Sequence, residues 1–174
     1  AATAAIAPAR AKAMPAGFQA IHDGRLTEDP NTFDCTFDNT EVGTPRAQTL
    51  MTLVPPGNYA IILGAATDPN SAFLRSGMTE AGIPALNAGS GPIKVVFEKN
   101  TDNWDTTNAK NNMEAALNAN NNKIDDVLSE NDSMATGVVQ APGAVGSKAP
   151  VTGKDGDTAT RDRAARRPHG GRVG

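Results

Sequence analysis

Four polar clusters punctuate this chain just after short apolar runs: Asp68 with Asn70, Asn103 with Trp104, Asn131 with Asp132, and Asp155 with Asp157. A carboxylate or primary amide can hold two neighbouring hydroxyls at once, and a tryptophan beside it offers a flat apolar surface. Sugars have that dual character, with polar rims and apolar C–H faces. Taken singly, each Asn or Asp is better read as a turn former or helix cap, and Trp104 as a half-buried packing residue. Only the recurrence of the pattern points to a ligand.

Acting together requires a scaffold that brings these clusters to one edge. The run Asn58-Tyr59-Ala60-Ile61-Ile62-Leu63-Gly64 is apolar throughout, as a strand covered on both faces should be. Further strands are expected at Ile93–Glu98, at Val127–Ser129 and at Ala149–Gly153. Helical periods separate them. One is expected from Glu41 to Leu53, with Ala47, Leu50, Met51 and Val54 on one face and Pro45 in its first turn. A second runs from Ser71 to about Gly82. A third, capped by Asp105 or Thr106, carries Ala109, Met113, Ala116 and Leu117 and stops at Asn120-Asn121-Asn122. A fourth, capped by Ser133, reaches Gln140. The order αβαβαβαβ argues for a doubly wound parallel α/β sheet, whose strand ends share one edge where ligands sit.

Composition narrows the function. The chain has 174 residues and 39% hydrophobic content, enough for one domain, and its 4% aromatic content makes the core aliphatic. A formal charge of −3 is not the field of a nucleic-acid binder, so no nucleic-acid partner is expected. The lone Cys35 excludes an internal disulfide framework and a cysteine-based zinc site. No apolar run is long enough to cross a bilayer, so no direct membrane insertion is expected, and the first residues lack the apolar core of a signal peptide. No phosphate-binding or dinucleotide-binding glycine loop is present. His22 and His169 lie in weakly patterned ends, and Asp155-Gly156-Asp157 lacks the remaining ligands of a calcium loop. Nothing assembles a nucleophile, base and oxyanion hole, so neither an enzyme nor a cofactor nor a metal is expected.

The runs FDNTEVG (37–43), GNYAIILG (57–64), NSAFLRSG (70–77), NWDTTNAKNNMEAALNANNNKIDDVLSENDSMATG (103–137) and PVTGKDGD (150–157) resemble the D-xylose-binding proteins. These are solute receptors of bacterial sugar ABC transporters with the type I periplasmic binding fold. The resemblance covers about residues 21–157 and falls mostly on the family's C-terminal lobe. It implies a periplasmic or extracellular location and two partners, a D-xylose-like monosaccharide and a transporter permease. It also implies sugar contacts from Asn70, Asn131 and Asp155 and stacking by Trp104. Arg25 is a weaker contact, because Gly24 stands where the family has Asp. Further departures are Asp126 in place of a small apolar residue and Lys154 in place of Gln.

The expected organisation is a low-complexity arm (1–20), the sugar-binding lobe (21–157) and a disordered arginine-rich tail (158–174), that is, a truncated and impaired receptor. The rival readings are the sugar-sensing domain of a transcription regulator, which shares the fold, and a remnant that binds nothing.

Overall fold

The computed structural model describes residues 20–22, 32–88, 91–141, 149–160 and 162. The expected arm apart from Ala20, and the tail apart from 158–160 and 162, lie outside the described residues, as does Arg25. Two short parallel strands come first, β1 (Ala20–His22) and β2 (Thr32–Asp34), paired among the described residues with each other alone. The sequence around them reads as turns, because three-residue strands are too short to display an alternation.

Helix α1 (Asn39–Leu53) begins two residues before the expected Glu41, because the Asp38 side chain accepts the Glu41 amide at 3.1 Å. Pro45 therefore falls in the second turn instead of the first, where its missing N–H leaves one carbonyl without its usual helical donor. Strand β3 (Gly57–Leu63) follows, then α2 (Pro69–Glu80), which starts at Pro69 and not at Ser71 because Asp68 caps it. After β4 (Ile93–Asn100) a single 3-10 turn spans Asp102–Trp104. Helix α3 (Thr106–Ala119) is capped by Asp105 and closed at Asn120, and Asn121 and Asn122 then take left-handed backbone, φ 53° and 58°. Strand β5 (Asp126–Ser129) leads to α4 (Asp132–Gln140). Its cap is Asn131, whose side chain accepts the Met134 amide at 2.9 Å, and not the expected Ser133.

The second sheet is parallel, with order β4–β3–β5. The fourth strand expected at 149–153 shrinks to one bridge, Val151 to Val127. Pro150 has no N–H to give, so it takes part only through its carbonyl, which accepts from Val127 N at 3.1 Å. On one face, Tyr59, Ile61 and Leu128 pack with Ala47 and Leu50 of α1 and Met78 of α2. On the other, Ala60, Ile62 and Val127 pack with Ala109, Met113 and Leu117 of α3 and Met134 and Val138 of α4. Side chains that alternate along a strand thus serve two separate cores. Helices cover both faces, so the architecture is the doubly wound α/β type read from the sequence.

Candidate functional site

Three short connections leave the same edge of the sheet: 64–68 after β3, 101–105 after β4, and 130–131 after β5. The stretch 152–157 joins them through the Val151 bridge and a hydrogen bond from Asp132 N to the Lys154 carbonyl at 3.0 Å.

Gly64 stands at their centre. Its N–H donates to the Glu130 carboxylate at 2.6 Å, and its carbonyl accepts from Asn100 Nδ2 at 2.8 Å and Thr101 N at 3.3 Å. The benzo ring of Trp104 lies on its Cα, so closely that a Cβ would overlap the ring. Glycine is required here for close approach, not for its φ.

Trp104 is held from three sides. Its indole Nε1 donates to Asp68 Oδ2 at 3.1 Å, and its ring packs on the α3–α4 core. The Lys154 Nζ lies 6.0 Å from the ring centroid. Its own backbone, with that of Asn103, is left-handed (φ 55° and 57°), a conformation a bulky residue adopts only when its surroundings impose it.

Asn70 is nearly buried in the first turn of α2. Its amide N–H donates to Asp68 Oδ1 at 2.9 Å, and its Oδ1 accepts from Asn39 Nδ2 at 2.9 Å. Asp68 therefore uses one carboxylate oxygen to cap the helix carrying Asn70 and the other to fix Trp104. Asn131 is committed through Oδ1 to its cap. Asp155 is half-exposed, has φ 94°, and pairs with Lys154 Nζ at 3.0 Å. Asn70 and Trp104 are thus joined through Asp68, and Asp155 is joined to Trp104 through Lys154. Asn131 sits one residue before the Asp132 amide that anchors Lys154.

Behind this edge lies a charged layer that the polar clusters did not announce. Glu130 is fully buried and accepts from Gly64 N and from Ser71 Oγ, each at 2.6 Å, while its Oε1 has no partner. Burial pushes its pKa up to about 7, against the pull of those two donors and of Arg46 and Arg75. Arg46, on α1, donates to the Ser129 carbonyl and to Thr152 Oγ1, the latter at 3.1 Å. The strand period could have revealed Glu130: it lies two residues beyond Leu128 and so shares its inward face. Arg46 gives no such signal, because it adjoins the buried Ala47 on an amphipathic helix.

Among the described residues no cluster of His, Cys, Asp and Glu could hold a metal ion, and no helix is long and apolar enough to cross a membrane.

A family model described as a periplasmic binding protein domain matches residues 1–167. The D-xylose-binding periplasmic protein of Escherichia coli K12 is 38% identical over 157 residues, covering 88% of this chain and 47% of the relative. Its counterpart in Haemophilus influenzae Rd is 34% identical over 155 residues, covering 87% and 46%. The chain therefore spans about half the length of these relatives. A solved structure of an ABC transporter periplasmic solute-binding protein from Actinobacillus succinogenes 130z, with bound D-allose, superposes with a TM-score of 0.72 at 29% identity. It covers 89% of this chain and 56% of that one. The family match over residues 1–167 and these identities show that the chain belongs to the periplasmic binding protein domain family, as a relative of the D-xylose-binding proteins.

Proposed function

We propose that the strand-end edge is one wall of a monosaccharide cleft, that its ligand is a D-xylose-like sugar, and that the chain serves a sugar ABC transporter without catalysing a reaction. Trp104 stacks on the apolar face of the ring, and Asn70, Asn131 and Asp155 hydrogen-bond its hydroxyls, with Arg25 a weaker contributor. The observation that carries this reading is Trp104 itself. A tryptophan in left-handed backbone, seated on a glycine and tied by its Nε1 to Asp68, has been fixed in place at an edge lined with amides and carboxylates. In a two-lobed receptor the sugar bridges both walls and stabilises a closed form that a permease reads. One wall taken by itself forms part of the hydrogen bonds and encloses little of the ligand, so residues 1–174 on their own should bind weakly, near the millimolar range or about 4 kcal/mol.

Titration with xylose, followed by Trp104 fluorescence and amide chemical shifts, tests the reading. Saturable shifts at residues 64–70, 103–105 and 131 are expected, and Trp104→Ala abolishes them. Micromolar affinity would contradict the one-wall account. Sugar-induced shifts that persist without Trp104 would remove that residue from the site.

A further inference from the structure

Glu130 touches none of the surfaces offered to a ligand, yet it joins two of the elements that make the edge. One of its carboxylate oxygens receives both the Gly64 amide at the end of β3 and the Ser71 hydroxyl in the first turn of α2. Between those two donors run the loop carrying Asp68 and the start of α2 carrying Asn70, and on Gly64 rests the ring of Trp104. We propose that Glu130 is the positioning residue of the edge: its ionised carboxylate fixes the 64–71 connection and thereby the seat and tilt of Trp104. Its protonation loosens them.

The chemistry supports a two-state role. An ionised carboxylate accepts both donors strongly, and a protonated one accepts less well while gaining an O–H that must itself find an acceptor. The partnerless Oε1 is where that proton would reside. Burial favours the neutral form, and the Gly64 and Ser71 donors favour the charged one, leaving the group poised near neutrality. The charged groups that face it are Arg46 from α1 and Arg75 from α2. Arg75 is itself paired with Glu98 of β4 at 3.1 Å, and Arg46 also feels Asp132 and Asp155. Neither arginine lies within hydrogen-bonding distance of the carboxylate, so the two neutral donors are its direct partners.

This inference rests on the reading of the edge as a sugar wall, and its test has one arm that needs no ligand. In the wild-type chain, the Gly64 amide and the Trp104 indole N–H should titrate together between about pH 5 and pH 9. Glu130→Gln, nearly isosteric, should abolish both titrations. Ser71→Ala keeps the carboxyl but removes a donor that favours its charged form, so it should move the shared midpoint to higher pH. It also guards against misfolding of the Gln variant. A Trp104 indole that ignores pH, or that titrates equally in Glu130→Gln, overturns the proposal. In the ligand arm, Glu130→Gln should weaken xylose binding about tenfold. Absence of xylose binding by the wild type would overturn the sugar reading, while the ligand-free titrations would still decide the positioning role.

Discussion

On the α3–α4 side of the sheet, Ala60, Ile62 and Val127 pack in a cluster of apolar side chains drawn from both helices. On the α1–α2 side, Tyr59, Ile61 and Leu128 share their face with two carboxyls, because β5 alternates and Asp126, Leu128 and Glu130 all point that way. Asp126 and Glu130 are both fully buried, and burial pushes both up to about 7. Their surroundings differ. Glu130, at the strand-end edge, has two strong donors. Asp126, at the opposite end of the strand, has no side-chain hydrogen bond; the neighbouring Val127 amide pulls its pKa down, and Asp125 adds a like charge nearby. The same residue chemistry is thus well supplied with donors at one end of a strand and poorly supplied at the other, and the donors of neighbouring elements separate them.

The comparison can be broken most forcefully on the apolar face. Ile62→Ala should destabilise the fold by about 4 kcal/mol, equally at acid and neutral pH, because it opens a cavity among groups that do not titrate. Chemical denaturation at two pH values checks this, and a pH-dependent loss would mean the two faces are not independent.

Asp126 comes next. Its folded-state pKa stands above its unfolded value of 3.8, so the protonated form suits the fold. The contribution of Asp126 to stability is therefore full below pH 3.8 and is lost as pH rises through about 7. Asp126→Asn should remove about 4 kcal/mol of that loss, leaving the smaller share that Glu130 contributes with the same sign. Identical pH profiles for the wild type and the variant would show that Asp126 finds a partner in solution.

How much of this was legible in the sequence follows from the same contrast. The apolar runs announced β3, β4 and β5, since a strand covered on both faces leaves a continuous signature. The Asn and Asp residues announced the connections, although Asp38, Asp68 and Asn131 capped helices earlier than periodicity alone suggested. Strand 149–153 was over-read because Pro150 can accept but cannot donate. Trp104 was legible as a residue but not in its left-handed backbone, which depends on Gly64, forty positions away. The buried charged layer was least visible. A glutamate after a short strand looks like a solvated tip until α2 and β3 are known to close over it.

Arg46→Met sharpens the account at intermediate size. Loss of its hydrogen bonds to the Ser129 carbonyl and Thr152 Oγ1 should cost about 1–2 kcal/mol. Because Arg46 favours the ionised form of Glu130, the Gly64 titration midpoint should also rise. A midpoint that stays in place would separate the two residues.

The smallest effect belongs to Lys154→Gln at the exposed rim. It removes the ion pair with Asp155 and the cation beside the Trp104 ring, yet should change stability by less than about 0.5 kcal/mol. The fluorescence of Trp104 should nevertheless shift. A larger stability change would mean that the rim is as strongly coupled as the layer beneath it.

The crossovers that build the sheet also set an order of assembly. Helices α1 and α2 flank β3 closely in sequence, whereas the Glu130–Gly64 bond spans 66 positions and the Arg46–Thr152 bond spans 106. Local contacts close cheaply and early, while long-range parallel pairings pay a larger chain-closure entropy before any contact rewards them. The expectation is that the ligand edge is the last part of the sheet to be completed as the chain folds. In a refolding experiment the Trp104 emission should lag behind the recovery of helical circular dichroism, and coincident time courses would refute that order. Slow completion leaves the β3 and β5 strand ends open to competing chains for the longest time, so the proposed sugar wall is also the surface most exposed to misassembly on the way to the native state.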